Sequence, residues 1–207
     1  MSKQLCRLKG RYNLTMGASI TTEEPKYAII EKEPPFEIRS YAPMIVAEVQ
    51  VEGDLDEASS KGFRLIAAYI FGQNQVSEKI AMTAPVTIED QSVKSAKIAM
   101  TAPVGIESNA GKWTVSFVMP VEYSMETIPK PINPQVQLRQ IPALKKAALS
   151  FSGFYNSQTV TEKTLELEQW MKARHLTGTG TPNFARYNPP WTLPFMRRNE
   201  VLINLRD

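Results

Sequence analysis

Residues 36–51 read FEIRSYAPMIVAEVQV, and their second half alternates apolar and polar side chains, which is typical of a β-strand. Ile45, Ala47 and Val49 point to one face of this predicted strand, and Glu48 points to the other. The stretch therefore predicts a half-buried strand, with one face against a core.

A helix is predicted directly after this strand, over residues 55–71. Asp54 is a suitable N-cap residue, because its side chain can accept a hydrogen bond from a free backbone N–H of the first turn. Gly72 supplies a C-terminal stop. The unit is thus a strand followed by a helix.

The same order recurs in the second half of the chain. The tetrapeptide VQLR at residues 136–139 echoes FEIR of the first strand, Pro142 echoes the proline within it, and a second helix is predicted over residues 161–175. The recurrence predicts an α+β fold of two similar halves, each containing strand, helix and further strands. The halves are residues 25–122 and 123–207.

A second, closer repeat lies between the two units. Residues 79–89 read KIAMTAPVTIE and residues 97–107 read KIAMTAPVGIE, so ten of eleven positions are identical. Each copy alternates apolar and polar side chains, and the pair predicts a β-hairpin. Pro85 and Pro103 lack a backbone donor, so each is expected at an edge or a bulge.

The composition excludes several classes of protein. The chain has 207 residues with 24 Lys+Arg against 21 Asp+Glu, and the cations form no concentrated cluster, so we expect no nucleic-acid partner. No apolar run approaches the ~20 residues of a membrane span. Residues 1–22 are interpreted as a flexible lead-in without the apolar core of a signal peptide, and residues 23–207 as one domain. We expect a cytoplasmic monomer.

The chain has one histidine, His175, and one cysteine, Cys6. An intrachain disulfide is therefore excluded, and so is a zinc site of about four Cys and His ligands within one chain. A catalytic triad would have to use His175, and the common nucleophile and phosphate-binding motifs are absent. The sequence favours a binding protein over an enzyme.

Four stretches resemble the SOUL/haem-binding-protein family, and most of all its bacterial members. They are EKEPPFEIRSYAP at 31–43, the doubled KIAMTAPV, FVMPVEY at 117–123 and FARYNPPWTLPFMRRNEVLINL at 184–205. The resemblance implies a distorted antiparallel β-barrel of two pseudo-symmetric halves, each with one main α-helix. It also implies non-covalent binding of haem or a related tetrapyrrole, for buffering or transfer. The ligand would occupy a shallow apolar groove beside the first helix, bordered by a loop near the C-terminus.

The first helix is apolar nearly all round in its second half, whereas a helix on a sheet needs one apolar stripe. The surplus predicts a ligand groove, although the C-terminal loop with Trp191 and Phe195 is an alternative cover for it. Cations near the groove could pair with the two propionates. The predicted groove residues are Lys61, Phe63, Arg64, Ala67, Ile70 and Arg186.

His175 is the candidate axial ligand of the haem iron, since imidazole is a common ligand there. The alternative is a histidine favoured by the dipole at the C-terminal end of the second helix. Tyr41 and Tyr187 could also ligate ferric iron, but aromatic packing with a hydroxyl partner is the usual role of tyrosine. Met82 and Met100 are interpreted as core residues, because both lie mid-strand on the apolar face.

Two other functions stay open from the sequence. One is an enzyme acting on a tetrapyrrole or another small hydrophobic molecule in the same groove, for which Glu122 is the first candidate carboxylate. The other is a small-molecule effector-binding or protein-interaction module.

Overall fold

A computed structural model describes residues 23–76, 79–80, 84–90, 112–189 and 191–206. This part of the chain contains nine strands, two α-helices and a short 3-10 helix at Pro194–Met196. The elements are β1 (Tyr27–Glu33), β2 (Phe36–Tyr41), β3 (Met44–Glu52), α1 (Leu55–Ile70), β4 (Val86–Asp90), β5 (Lys112–Val118), β6 (Gln137–Ile141), β7 (Leu144–Phe151), α2 (Ser157–Ala173), β8 (Gly178–Arg186) and β9 (Asn199–Leu205).

The nine strands form one sheet in the order β1-β2-β7-β9-β8-β4-β5-β3-β6, and all the pairings are antiparallel. With two helices, this confirms the predicted α+β class. Hydrogen bonds do not join β1 to β6 within the described residues, so the sheet has two edges and the closed barrel stays a prediction.

Two short connections nevertheless force the sheet to curl. Residues 42–43 join β2 to β3, and residues 142–143 join β6 to β7, although the strands of each pair stand six places apart in the sheet order. Six places in a flat sheet would separate the strands by about 29 Å. Three Cα–Cα steps span at most about 11 Å. The ends of the sheet are therefore folded toward each other.

After β1, five elements of the first half recur in the same order in the second half of the chain. The series β2, β3, α1, β4, β5 corresponds to β6, β7, α2, β8, β9. The pairing of β3 with β5 corresponds to that of β7 with β9, and the pairing of β3 with β6 to that of β7 with β2. Each half thus pairs its first strand with the other half, since β2 pairs with β7 and β6 pairs with β3. The two halves therefore share one sheet.

Both helices begin at an N-cap side chain. Asp54 accepts a hydrogen bond from the Glu57 backbone N–H at 2.8 Å, as predicted, and α1 follows. Asn156 does the same for Thr159 at 2.8 Å, so α2 begins at Ser157, earlier than the predicted residue 161.

Two strand predictions are corrected by the pairing. The single strand predicted over residues 36–51 is two strands, because the chain turns at residues 42–43. The first KIAMTAPV copy supplies β4, which pairs with β5 along one edge and with β8 along the other. Residues 86–89, the end of the first copy, therefore have no free edge on which to pair with the second copy in the predicted hairpin. The second copy lies outside the described residues.

Each helix covers one part of the same sheet face. Helix α1 packs on β3 and β5, where Ile66 and Tyr69 join Val115 and Phe117 in the larger apolar core. Helix α2 packs on β7, β8 and β9, where a smaller core contains Leu167 and residues of the strands. The space between the helices is therefore the junction of the two halves.

The Gly62→Ala substitution is expected to destabilise the protein by about 1–3 kcal/mol through overpacking. A Cβ atom at Gly62 would lie 2.5 Å from the Cβ atom of Val115, so α1 could not keep its distance from β5. Helix propensity alone predicts the opposite sign, a gain of about 1 kcal/mol. Urea unfolding would measure the difference, with Ser60→Ala on the exposed side of α1 as the control. A Gly62→Ala protein as stable as wild type would contradict the close packing.

Candidate functional site

Helix α1 has two flanks beside its buried stripe, and the predicted groove residues are divided between them. On one flank, Lys61, Arg64 and Leu65 line an open surface pocket of about 640 Å³ together with Lys112 and Glu52. Lys61 donates a hydrogen bond to the backbone carbonyl of Glu52 at 3.1 Å. This flank is highly charged, and it holds Lys61 and Arg64, the two cations of α1 that we predicted for the groove.

The opposite flank of α1 presents Phe63 and is contacted by Arg186 from the end of β8. The Arg186 guanidinium donates a hydrogen bond to the Ser59 hydroxyl at 3.1 Å, and it lies 4.5 Å over the ring of Tyr155. Phe63 stands one helical turn after Ser59, is 40% exposed, and places its ring 5.6 Å from that of Phe117. The stretch just before α2 is therefore held beside α1.

The C-terminal loop, residues 191–198, continues this surface. The Pro194 carbonyl accepts a hydrogen bond from the Gly153 backbone N–H at 2.9 Å. The Arg197 guanidinium lies 5.4 Å over the ring of Phe154. Large apolar side chains remain exposed here, Trp191 at 82% of its area. We call this the aromatic surface, and its residues are Phe63, Phe154, Trp191, Leu193, Phe195 and Met196.

Ala67 and Ile70, two of the predicted groove residues, are buried. Of the apolar side chains predicted for the groove, Phe63 is therefore the one that stays exposed. Ile70 is fully buried, and its carbonyl accepts a hydrogen bond from the Ile80 backbone N–H at 2.8 Å. The chain after α1 thus returns over the end of the helix and covers it. Trp191 and Phe195, the alternative cover for the stripe, are themselves exposed.

His175 lies at the far end of α2 from the aromatic surface. It is exposed, follows the last turn of the helix, and has a backbone φ of 58°. Tyr155 precedes the same helix, and the 17 residues of α2 span about 25 Å. A haem bound at the aromatic surface would therefore be out of reach of the imidazole.

Tyr41 and Tyr187, the other candidate iron ligands, belong to a buried polar network. Tyr187 donates a hydrogen bond to the Glu200 carboxylate at 2.6 Å, and Tyr41 accepts one from Arg39 at 3.2 Å. Burial raises the pKa of Tyr41 to about 12, and burial and the Glu200 charge raise the pKa of Tyr187. Both phenols are thus protonated and already bonded, which favours a structural role.

Arg39 and Glu200 form the centre of that network, which we call the Glu200 network. Two guanidinium nitrogens of Arg39 donate to the two Glu200 oxygens at 2.7 and 2.9 Å, and the Ser150 hydroxyl donates a further bond. Burial would raise the pKa of Glu200, but the hydrogen bonds from Arg39 and Tyr187 outweigh burial and lower it. Glu200 is therefore ionised and paired.

The remaining sequence candidates lie elsewhere. Glu122 is exposed in the loop after β5. Cys6, Met82 and Met100 lie outside the described residues. Within the described ranges, no three His, Cys, Asp or Glu side chains are grouped so that they could hold a metal ion. In the same ranges, no helix has the length and apolar character needed to cross a membrane.

The residues that the sequence missed are Phe154 and Tyr155, which lie between β7 and α2. Little in the sequence pointed to these two residues, because two adjacent aromatic residues before a helix cap occur in many proteins. Only the contacts with Arg186 and Arg197 show that they belong with α1 and the C-terminal loop.

The family model and the two relatives that match this chain all have haem binding in their names. The model of the SOUL heme-binding protein family matches residues 22–95 and 88–204. Human Heme-binding protein 2 is 29% identical over 170 residues, which cover 80% of this chain and 76% of that protein. Mouse Heme-binding protein 2 is 28% identical over 172 residues, with 80% and 76% covered.

Solved structures share the fold at low sequence identity. The C-terminal domain of EcmrR superposes with a TM-score of 0.58 at 13% identity, covering 83% of this chain and 97% of that one. A hydrolase from Listeria innocua superposes with a TM-score of 0.55 at 10% identity, covering 83% and 91%. At these identities the likeness concerns the fold alone.

Proposed function

The chain belongs to the SOUL heme-binding protein family, and we propose that it binds haem or a related tetrapyrrole non-covalently at the aromatic surface, for buffering or transfer. The observation that carries this proposal is the set of exposed aromatic side chains on α1, before α2 and in the C-terminal loop, three segments that Arg186 and Arg197 connect through their contacts with Ser59, Tyr155 and Phe154. Exposed apolar groups in such a cluster usually mark a binding site. We also propose that the curled sheet corresponds to the distorted barrel that the resemblance implies.

The aromatic surface fits the chemistry of a porphyrin. Phe63, Phe154 and Trp191 would cover the apolar ring, and each buried side chain contributes about 1.5–3 kcal/mol of transfer free energy. Arg186 and Arg197 border the surface and would pair with the propionates. Lys61 and Arg64, the cations predicted for this role, stand on the opposite flank of α1.

The same surface does not favour strong ligation of the iron through an imidazole. The only histidine of the chain lies beyond the far end of α2, and Cys6 is the only cysteine. When bound, haem would supply a redox-active iron, while the protein would supply apolar contact and cations. A ligand held in this way on an open surface can be released, which suits buffering or transfer.

A haemin titration followed in the Soret region tests the function. We expect saturable one-to-one binding by wild type, and binding by His175→Ala with an unchanged dissociation constant and an unchanged spectrum. The reason is the length of α2, which separates the imidazole from the aromatic surface. Absence of saturable binding by wild type would overturn the proposed function. If wild type binds haemin and His175→Ala does not, the ligand is bound at the His175 end of α2.

A further inference from the structure

A second pocket, of about 280 Å³, lies where the chain enters β1. Its walls are residues 23–26, the turn at residues 42–45 and the loop at residues 120–126. We call it the Glu23 pocket. Its lining includes no residue of the aromatic surface or of the Glu200 network.

The Glu23 pocket combines an apolar floor with an acidic rim. Met44, Pro120 and Met125 line it, and neighbouring Val121 is exposed. Three carboxylates line it as well, against a single lysine. The charged lining residues are Glu23, Glu24, Glu126 and Lys26.

Glu23 and Glu126 each use one carboxylate oxygen for a hydrogen bond from the loop and keep the other for a further partner. Glu23 accepts a hydrogen bond from the Val121 backbone N–H through one oxygen, at 3.1 Å. Glu126 accepts one from the Ser124 hydroxyl at 2.5 Å, and this hydrogen bond lowers the pKa of Glu126. Glu24 is engaged with Arg198 at 2.6 Å. The pocket therefore presents negative charge to a cationic, partly apolar occupant.

The chain carries such an occupant next to the pocket. Residues 1–22 contain four cations and no aspartate or glutamate, and Leu5, Leu8 and Tyr12 stand among the cations. The cations are Lys3, Arg7, Lys9 and Arg11. This segment continues directly into Glu23, a residue of the pocket wall, whose carbonyl accepts a hydrogen bond from the Ala84 backbone N–H at 2.9 Å.

We propose that residues 1–22 dock in the Glu23 pocket of their own chain, with cations against Glu23 and Glu126 and apolar side chains on the Met44–Met125 floor. Tethering gives the segment an effective concentration of about 1 mM at the pocket. An intrinsic dissociation constant of about 1 mM would therefore dock it in about half of the molecules. The interaction depends on charge, so salt would weaken it.

Cys6 allows a direct test, because it is the only cysteine and lies within the segment. A nitroxide attached to Cys6 of the full chain would broaden nearby amide signals in an NMR spectrum. We expect the Val121 and Met125 amide signals to be almost completely lost relative to the reduced nitroxide, because rapid exchange spreads the strong broadening of the docked state over every molecule. The exposed amides of α2, such as Glu162, should keep theirs.

Substitutions distinguish docking from simple proximity of the tether. The pair Glu23→Gln and Glu126→Gln should restore the Val121 and Met125 signals, and the matched pair Glu52→Gln and Glu57→Gln on the α1 flank should not. Signal loss confined to residues directly after Glu23 would overturn the proposal. So would broadening that appears only between spin-labelled and isotope-labelled chains in a mixture, since the occupant would then be a second copy.

Discussion

Glu200→Ala is expected to lower the free energy of unfolding by about 3–5 kcal/mol, because the buried Arg39 guanidinium loses both hydrogen bonds to Glu200 and keeps Glu37, at 2.7 Å, as its remaining carboxylate partner. Arg39 and Glu200 are both almost fully buried, and they share two hydrogen bonds at 2.7 and 2.9 Å. The Ser150 and Tyr187 hydroxyls would also lose their acceptor. The loss would be measured by urea unfolding followed by circular dichroism.

An exposed pair of the same kind provides the control. Arg139 and Glu48 also form a bidentate contact, at 2.8 to 3.1 Å, but the Arg139 side chain is 52% exposed. Water screens such a pair, so Glu48→Ala should cost about 1 kcal/mol or less. Equal losses in Glu200→Ala and Glu48→Ala would contradict the claim that burial makes the Glu200 network essential.

Phe63→Asp is expected to weaken haemin binding by about 10–100-fold. The ring is the exposed apolar group that α1 contributes to the aromatic surface, and burying a phenylalanine contributes about 1.5–3 kcal/mol. An aspartate would also place a charge that repels the propionates. The dissociation constant would be obtained from the Soret titration.

Two further variants accompany this prediction. Phe71→Asp changes a phenylalanine that is 61% exposed at the far end of α1, and it should bind haemin as wild type does. Trp191→Asp changes an exposed side chain of the C-terminal loop and should weaken binding as Phe63→Asp does, even if Phe63→Asp disturbs the contact with Phe117. Equal affinities for the Phe63 and Phe71 variants, both folded, would remove α1 from the binding site.

Local signals in the sequence sufficed for the helices and for the order of elements. The cap at Asp54 and the apolar periodicity after it predicted α1 to within a residue of each end. The start of α2 was missed because Asn156 also caps, so that the helix begins four residues before the predicted residue 161. These features depend on contacts between close neighbours, which a sequence displays directly.

Features that depend on distant contacts were harder to predict. The KIAMTAPV repeat suggested a local hairpin, but β4 pairs with β5 and β8 instead. The apolar side chains of α1 did not reveal which flank is covered, because that depends on Ile80, which returns to the end of the helix, and on Arg186 of β8, which bonds to Ser59. Glu200 stood in a recognised motif, yet its partner Arg39 lies 161 residues away.

We propose that the protein holds the porphyrin ring by apolar contact and its carboxylates by arginine, with little contribution from the iron. Comparing the dissociation constants of haemin and metal-free protoporphyrin IX, measured by fluorescence quenching of the wild-type protein, tests this directly. We expect values within about threefold of each other, a difference below 1 kcal/mol. Binding of protoporphyrin weaker by about 100-fold or more would contradict it, because the iron would then supply much of the affinity.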